Sequence, residues 1–222
     1  MLLSLNTCGS TATVALGTTG KKALQVDMAE LAERTCSTRL IPEIAALLER
    51  RQATLRDIEA IVVVNGPGSF TGIRVGLSTA KGLAEGAGIP LIAVSRLALL
   101  AHASLLPHVL AAVDAGRGEY YVGEYHKGKK LREMLLSGKE TVSLAQEPGA
   151  GVVVCEESRI ADASTACSAL AICGPVYVQP PDAGEALRFA LDRFHAGDFE
   201  DRETLDANYL RRSDAEVLRA AK

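Results

Sequence analysis

Residues 65–86 read NGPGSFTGIRVGLSTAKGLAEG and carry the residue types that bind anions. A glycine turn built on Gly66 and Gly68, followed by Ser69, would present free backbone N–H groups at a helix start. Such a start favours phosphate. Arg74 would lie in the first turn of that helix. The frame GxxxxGK[ST] is absent, and the nearest lysine, Lys81, lies well down the helix, so the stretch is not a P-loop. Ser69 lacks the GxSxG frame of a nucleophile elbow, and nothing in the sequence places a histidine and an acid beside it. Two other polar groups end apolar runs, Asn6 with Thr7 in a first hairpin and Asp114 in a second. An amide at position 6 cannot supply the negative charge that organises a magnesium ion and its waters. Gly66, Gly68 and Ser69 are therefore read as a candidate anion-binding turn.

No metal chemistry is indicated. The four histidines are His102, His108, His126 and His195, and no two are spaced to share a helix face. The five cysteines, Cys8, Cys36, Cys155, Cys167 and Cys173, form no CxxC pair, so reduced thiols in a cytoplasmic protein are expected. The net charge of −3 argues against the broad basic surface of a protein that binds nucleic acid unaided, and leaves room for a share in a composite site. The N-terminal apolar run has no basic leader and is too short for a signal peptide, and no stretch approaches a membrane span. With 48% hydrophobic residues, 4% aromatics and no Trp, the core must rest on Leu, Val, Ile and Ala.

The elements that would hold these groups follow from periodicity. Residues 2–6, 11–17 and 23–31 predict three meandering strands. Residues 37–51 predict a helix with Leu40, Ile44, Leu47 and Leu48 on one face, Ser37 or Thr38 as its cap, and Pro42 in its first turn. Residues 58–64 have almost no polar alternation, as in a strand buried on both faces. The glycine stretch supplies the following helix, 90–94 a strand and 95–103 a further helix. A second unit begins near 107 and repeats this opening, with strands at 109–114, 119–125 and 130–136. Beyond it, strands at 152–154 and 176–178 and helices at 161–170 and 183–195 are expected. The division is 1–106 for the first domain and 107–222 for the second.

Two such units in tandem resemble the actin, sugar kinase and Hsp70 superfamily, an α/β architecture of ribonuclease H-like domains, here with the second domain reduced. NGPGSFTGIRVGLSTAKGLAEG is similar to the signature of the TsaB family, also called YeaZ. VDAGRGEYYVGEY (113–125), NYLRRSDAEV (208–217) and TRLIPEI (38–44) are similar to that family's other motifs, in the same order along the chain. The resemblance implies a non-catalytic subunit that dimerises with a TsaD-type transferase. A TsaE-type ATPase would join the assembly, which threonylcarbamoylates the adenosine next to the anticodon in tRNA. It implies no cofactor on this chain, with ATP and metal on partner subunits, and only indirect contact with tRNA. In that superfamily each opening hairpin grips phosphate, so the resemblance implies that Asn6, Thr7, Gly66, Gly68, Ser69 and Asp114 are the remnant of a phosphate site. Similar chains that share an interface often pair through a two-fold arrangement, which leaves both a monomer and a homodimer open for the isolated chain.

Within the central helix, Gly72, Gly76, Ala80 and Ala84 recur every fourth residue and share one face, with Val75 and Thr79 beside it. Glycine inside a helix costs about 1 kcal/mol against alanine, so something must come close to that face. Close packing inside the subunit is one reading. The resemblance favours the other, a partner interface formed by Gly72, Arg74, Val75, Gly76, Thr79, Ala80 and Ala84, with Ile73, Leu77 and Leu83 turned to the chain's own sheet. A small ATP-dependent kinase or ATPase of the same superfamily is the alternative function. Asn6, the missing histidine pair and the short second unit count against it.

Overall fold

The computed structural model describes residues 1–19, 24–32, 35–157 and 168–211. Every residue of β1 (Leu2–Asn6) and β4 (Ala60–Val64) is buried, which is what continuous apolar strands achieve when both sheet faces are covered. β1 pairs antiparallel with β2 (Ala12–Thr19), and β2 with β3 (Leu24–Leu31). On its other side β1 runs parallel to β4, and β4 to β5 (Leu91–Val94). The first sheet thus has the order β3-β2-β1-β4-β5.

α1 (Cys36–Arg50) buries Leu40, Ile44, Leu47 and Leu48. Its N-cap is Thr35, whose side chain makes no capping bond, so neither Ser37 nor Thr38 caps it. α2 (Phe70–Ala87) is capped by the Ser69 hydroxyl, which accepts from the Gly72 N–H, and is stopped by left-handed Gly88. α3 (Arg96–Ala103) follows β5.

The second half repeats the pattern. β6 (His108–Gly116), β7 (Glu119–His126) and β8 (Lys129–Ser137) form the meander, and β9 (Val152–Glu156) and β10 (Val176–Val178) extend it in parallel. The order β10-β9-β6-β7-β8 is that of the first sheet read from the other edge. The second sheet thus keeps all five strands of the first. α4 (Gly138–Ala145) was not expected from periodicity. Its signal is the capping box of Ser137 and Glu140, each side chain bonding the other residue's backbone N–H. The expected 161–170 helix lies largely outside the described residues. Residues 168–173 form a short 3₁₀ turn.

The two halves exchange helices. Alternate residues of the first sheet face opposite ways. Leu3, Leu5, Ile61 and Val63 meet α1 and α2, whereas Leu2, Ala15, Ala60, Val62 and Ile92 meet α5 (Ala183–Ala196), which follows the second sheet in sequence. Conversely, Leu97, Leu100 and Ala101 of α3 pack on Val109, Ala111, Val113 and Val154 of the second sheet. The tail then returns over both. Glu200 bridges to Leu91 beside β5, Leu205 enters the first core, and Leu210 packs against the cluster around α3. Because Leu187 is wholly buried under the first sheet, Leu187→Ala is expected to cost about 2–5 kcal/mol. Urea unfolding followed by circular dichroism checks this, and a cost below about 1 kcal/mol would contradict the exchange.

Candidate functional site

The carboxyl ends of β1, β4, β6 and β9 converge on a cleft of about 800 Å³ between the two sheets. Of the expected phosphate remnant, Thr7, Gly68, Ser69 and Asp114 line it, whereas Asn6 and Gly66 do not. Asn6 is buried and both ends of its amide are engaged. Its Nδ2 donates to the Pro181 carbonyl at 2.7 Å and its Oδ1 accepts from the Cys8 N–H at 3.2 Å. It holds the first hairpin against the entry to α5, with its amide turned to the Pro181 carbonyl. Gly66 is turned the other way, against Ile73 and Asn208. Asp114 is exposed and accepts from the Gly116 N–H at 2.7 Å, closing its own hairpin turn.

The floor of the cleft belongs to residues the sequence did not single out. Arg96, only 8% exposed, donates from Nε and Nη2 to the two carboxylate oxygens of Glu156, at 2.7 and 2.5 Å. Its Nη1 donates to the Cys8 carbonyl at 3.1 Å, which also accepts from the Ser69 N–H at 2.9 Å. The glycine turn is thereby fastened to the first hairpin. A Cβ on Gly68, whose φ is +155°, would overlap the Cys8 carbonyl and crowd the Arg96 guanidinium. A signal existed for both missed residues: an arginine opening an apolar helix, and an acid ending an apolar strand, each needing a partner once buried.

This arrangement sets what the cleft can hold. Among the described residues Arg96 is its one lining cation, Glu156 neutralises it, and Asp114 adds a negative charge. No lysine among the described residues lines it, and Arg74 points elsewhere, stacked 3.7 Å over the Phe70 ring and donating to the Tyr209 hydroxyl at 2.9 Å. Among these described lining residues a nucleotide triphosphate would meet no uncompensated cation. Cys8 is no nucleophile either. Burial pushes its thiol from an ordinary 9.0 to about 12, against the pull of nearby Arg96, and its Sγ donates to the Val64 carbonyl at 3.0 Å. Among the described residues no group of three or more His, Cys, Asp or Glu side chains is placed to hold a metal ion. Strand pairing does bring two histidines together, since His108 is the register partner of His126. Helical spacing could not reveal that contact. Cys167 lies outside the described residues.

The small-residue stripe of α2 needs correcting as a partner interface. Gly76, Ala80 and Ala84 are buried in this chain's own structure. A Cβ at Gly72 would overlap the Thr7 carbonyl oxygen, and one at Gly76 would overlap the Thr7 hydroxyl, which donates to the Gly72 carbonyl at 2.7 Å. What approaches the glycines is the first hairpin. Leucine at position 76 would therefore disturb the fold of the subunit itself. Ile73 and Leu77 are buried as expected and Leu83 partly so. The solvent face of α2 carries Phe70, Thr71, Arg74, Ser78 and Glu85, with Val75 and Thr79 half-buried at its border.

A second polar cluster joins the halves behind the cleft. The Glu133 carboxylate of β8 accepts from Ser95 at 2.5 Å, from the Tyr125 hydroxyl, and from the Asn208 amide at 2.7 Å. Burial, and then the adjacent Glu133 charge, raise the Tyr125 phenol far above its ordinary range, so it stays a donor. The Asn208 N–H donates to the Asn65 carbonyl at 2.8 Å, which ties the tail to the start of the glycine turn.

The chain is similar to known proteins in sequence and in fold. Residues 28–162 match the family model described as TsaD, tRNA N6-adenosine threonylcarbamoyltransferase. The tRNA threonylcarbamoyladenosine biosynthesis protein TsaB of Haemophilus influenzae is 39% identical over 132 residues, 58% of this chain and 55% of that protein. The Escherichia coli protein of the same name is 37% identical over 130 residues, 57% of this chain and 55% of its own length. The matches thus span about half the length of these curated relatives. YeaZ from Pseudomonas aeruginosa superposes with a TM-score of 0.73 at 25% identity, covering 94% of this chain and 99% of that one.

Two outcomes are expected of the cleft. Glu156→Ala leaves the buried Arg96 guanidinium without its counter-charge and should cost about 3–5 kcal/mol in urea unfolding. Loss of under 1 kcal/mol would show the pair to be incidental. A thiol whose pKa is raised on folding contributes its stability in full below pH 9 and loses it as pH climbs towards about 12. Cys8 should therefore resist iodoacetamide at pH 9 in the folded chain and react once the chain is unfolded, as read by peptide mass spectrometry.

Proposed function

The chain belongs to the TsaB/YeaZ family, and from that premise we propose that it is a non-catalytic subunit that dimerises with a TsaD-type transferase. In that role it supports threonylcarbamoylation of the adenosine next to the anticodon in tRNA. The observation that carries this reading is the cleft floor. Where a catalytic relative would need charge for phosphate, this chain commits the one arginine among the described cleft residues, Arg96, to Glu156 and its hairpin amide to Pro181. ATP and metal belong, on this reading, to the partner subunits, with a TsaE-type ATPase joining the assembly in the cytoplasm and tRNA held mainly by the partners. No helix among the described residues is long and apolar enough to cross a membrane.

The docking face is the outer surface of α1 and α2, which pack side by side. α1 exposes Ile41, at 52%, together with Pro42 and Ala45, an apolar strip left uncovered by the described residues. α2 adds Arg74, Val75 and Thr79. Gly72, Gly76, Ala80 and Ala84 act one layer below, by letting α2 settle onto the first hairpin and fixing the pitch of that surface. The same face supports a homodimer when the transferase is absent, because related chains would share a two-fold arrangement.

Ile41→Glu combined with Thr79→Arg should leave the melting curve of the isolated chain unchanged and abolish its co-elution with the TsaD-type subunit. Co-elution at the wild-type level would sink the assignment of this face. The purified chain alone should hydrolyse no ATP, and turnover abolished by Asp114→Ala would restore the kinase reading.

A further inference from the structure

Residues 126–132 read HKGKKLR, and all seven are exposed. β7 ends at His126 and β8 begins at Lys129, its register partner, so the connection is Lys127 and Gly128 alone. Both have positive φ, 49° and 75°. A two-residue hairpin turn of this hand suits Asn, Asp or Gly at its first position, where a long side chain is disfavoured. The chain places a cation there.

Four cations, Lys127, Lys129, Lys130 and Arg132, thus fall within six residues. Arg132 is paired with Glu124 at 2.7 Å. Lys127, Lys129 and Lys130 have no carboxylate within ion-pair distance among the described residues. The next acid, Glu133, is taken up by Ser95, Tyr125 and Asn208. The net charge of −3 includes these four cations, so the rest of the chain stands at −7. A basic ribbon on an acidic protein is a local device. Its single aromatic ring, the His126 imidazole, meets the His108 ring with centroids 5.4 Å apart.

We propose that the 127–132 hairpin is a phosphate-backbone contact for RNA, the surface through which this subunit touches the tRNA of its assembly. This rests on the subunit reading above and deepens it by naming a contact. Phosphates match the uncompensated ammonium groups in charge, and a point charge on a flexible stem suits a backbone contact that carries no sequence information. The hairpin lies at the end of β6 that begins with His108, whereas the cleft opens at the Asp114 end. No hydrogen bond or ion pair of its residues reaches α1 or α2. It belongs to the second sheet, whereas α1 and α2 pack on the first. A contact of this size is compatible with weak binding by the isolated chain, since it supplies only a few phosphate contacts.

The test compares the wild-type chain with Lys127→Ala/Lys129→Ala/Lys130→Ala, and with Lys139→Ala as a surface control. Each full-length protein is assayed alone at low ionic strength and with the TsaD-type subunit, using an unmodified tRNA transcript. In the triple variant tRNA affinity should fall about tenfold, and the slope of log affinity against log salt should shrink by about three, one for each lost contact. Unchanged affinity and slope would overturn the proposal. So would loss of the transferase subunit with tRNA affinity intact, which would assign the hairpin to an acidic protein surface. Co-elution of the wild-type pair reports separately on the subunit reading, while the assay on the chain alone reports on the hairpin whether or not that pair forms. Lys127→Asn supplies an internal check. It relieves the turn, so Tm should not fall, yet tRNA affinity should.

Discussion

The Arg96 guanidinium is the point on which the two halves depend. It opens a helix that follows the first sheet, pairs with an acid at the end of a strand in the second, and fixes the carbonyl at the tip of the first hairpin. A buried arginine survives only with its charge and N–H groups satisfied, because the desolvation cost is otherwise several kcal/mol. Satisfying it here requires the hairpin, the glycine turn, α3 and β9 to be in place together. The closeness of the glycine turn to the hairpin follows from the same constraint. Gly68, Gly72 and Gly76 are small because Cys8, Arg96 and Thr7 already occupy the space a Cβ would need. The glycine stretch thus serves the interior of the molecule first.

That constraint also shapes the functional reading. A kinase-like cleft needs uncompensated positive charge and free backbone donors where phosphates sit. Here the arginine is neutralised, the Ser69 N–H is engaged, and the amide at position 6 is turned to Pro181. The cleft keeps the architecture of a ligand site, with its polar groups turned to holding two sheets at a fixed spacing. The surfaces proposed above for other molecules lie outside it, on the solvent faces of α1 and α2 and on the β7–β8 hairpin.

Much of the fold was legible in the sequence. β1 and β4 announced themselves as unbroken apolar runs, and α1 by Leu40, Ile44, Leu47 and Leu48. Each signal is local and depends on one element's own periodicity. What was not legible is relational. Nothing in 72–84 distinguishes a stripe that meets the chain's own Thr7 from one that meets a second chain, because small residues permit close approach without naming what approaches. Arg96 and Glu156 are sixty residues apart and declare their pairing only when β9 lies beside β6 and α3 covers them. The contact between His108 and His126 depends on strand register in the same way. α4 differs, since its serine and glutamate form a cap that their spacing alone announces.

The exchange of α3 and α5 has a consequence for how the chain is made. A ribosome delivers the first sheet complete by Val94, but the apolar face formed by Leu2, Ala60, Val62 and Ile92 waits for α5, which ends at Ala196. About a hundred residues of further synthesis separate the sheet from its cover, roughly 5–20 s at ordinary elongation rates. During that interval the nascent chain shows an open hydrophobic sheet face, the kind of surface that aggregates or recruits a chaperone. The helix that makes the finished subunit compact is also the one that makes its birth late, and the first half cannot mature before the second.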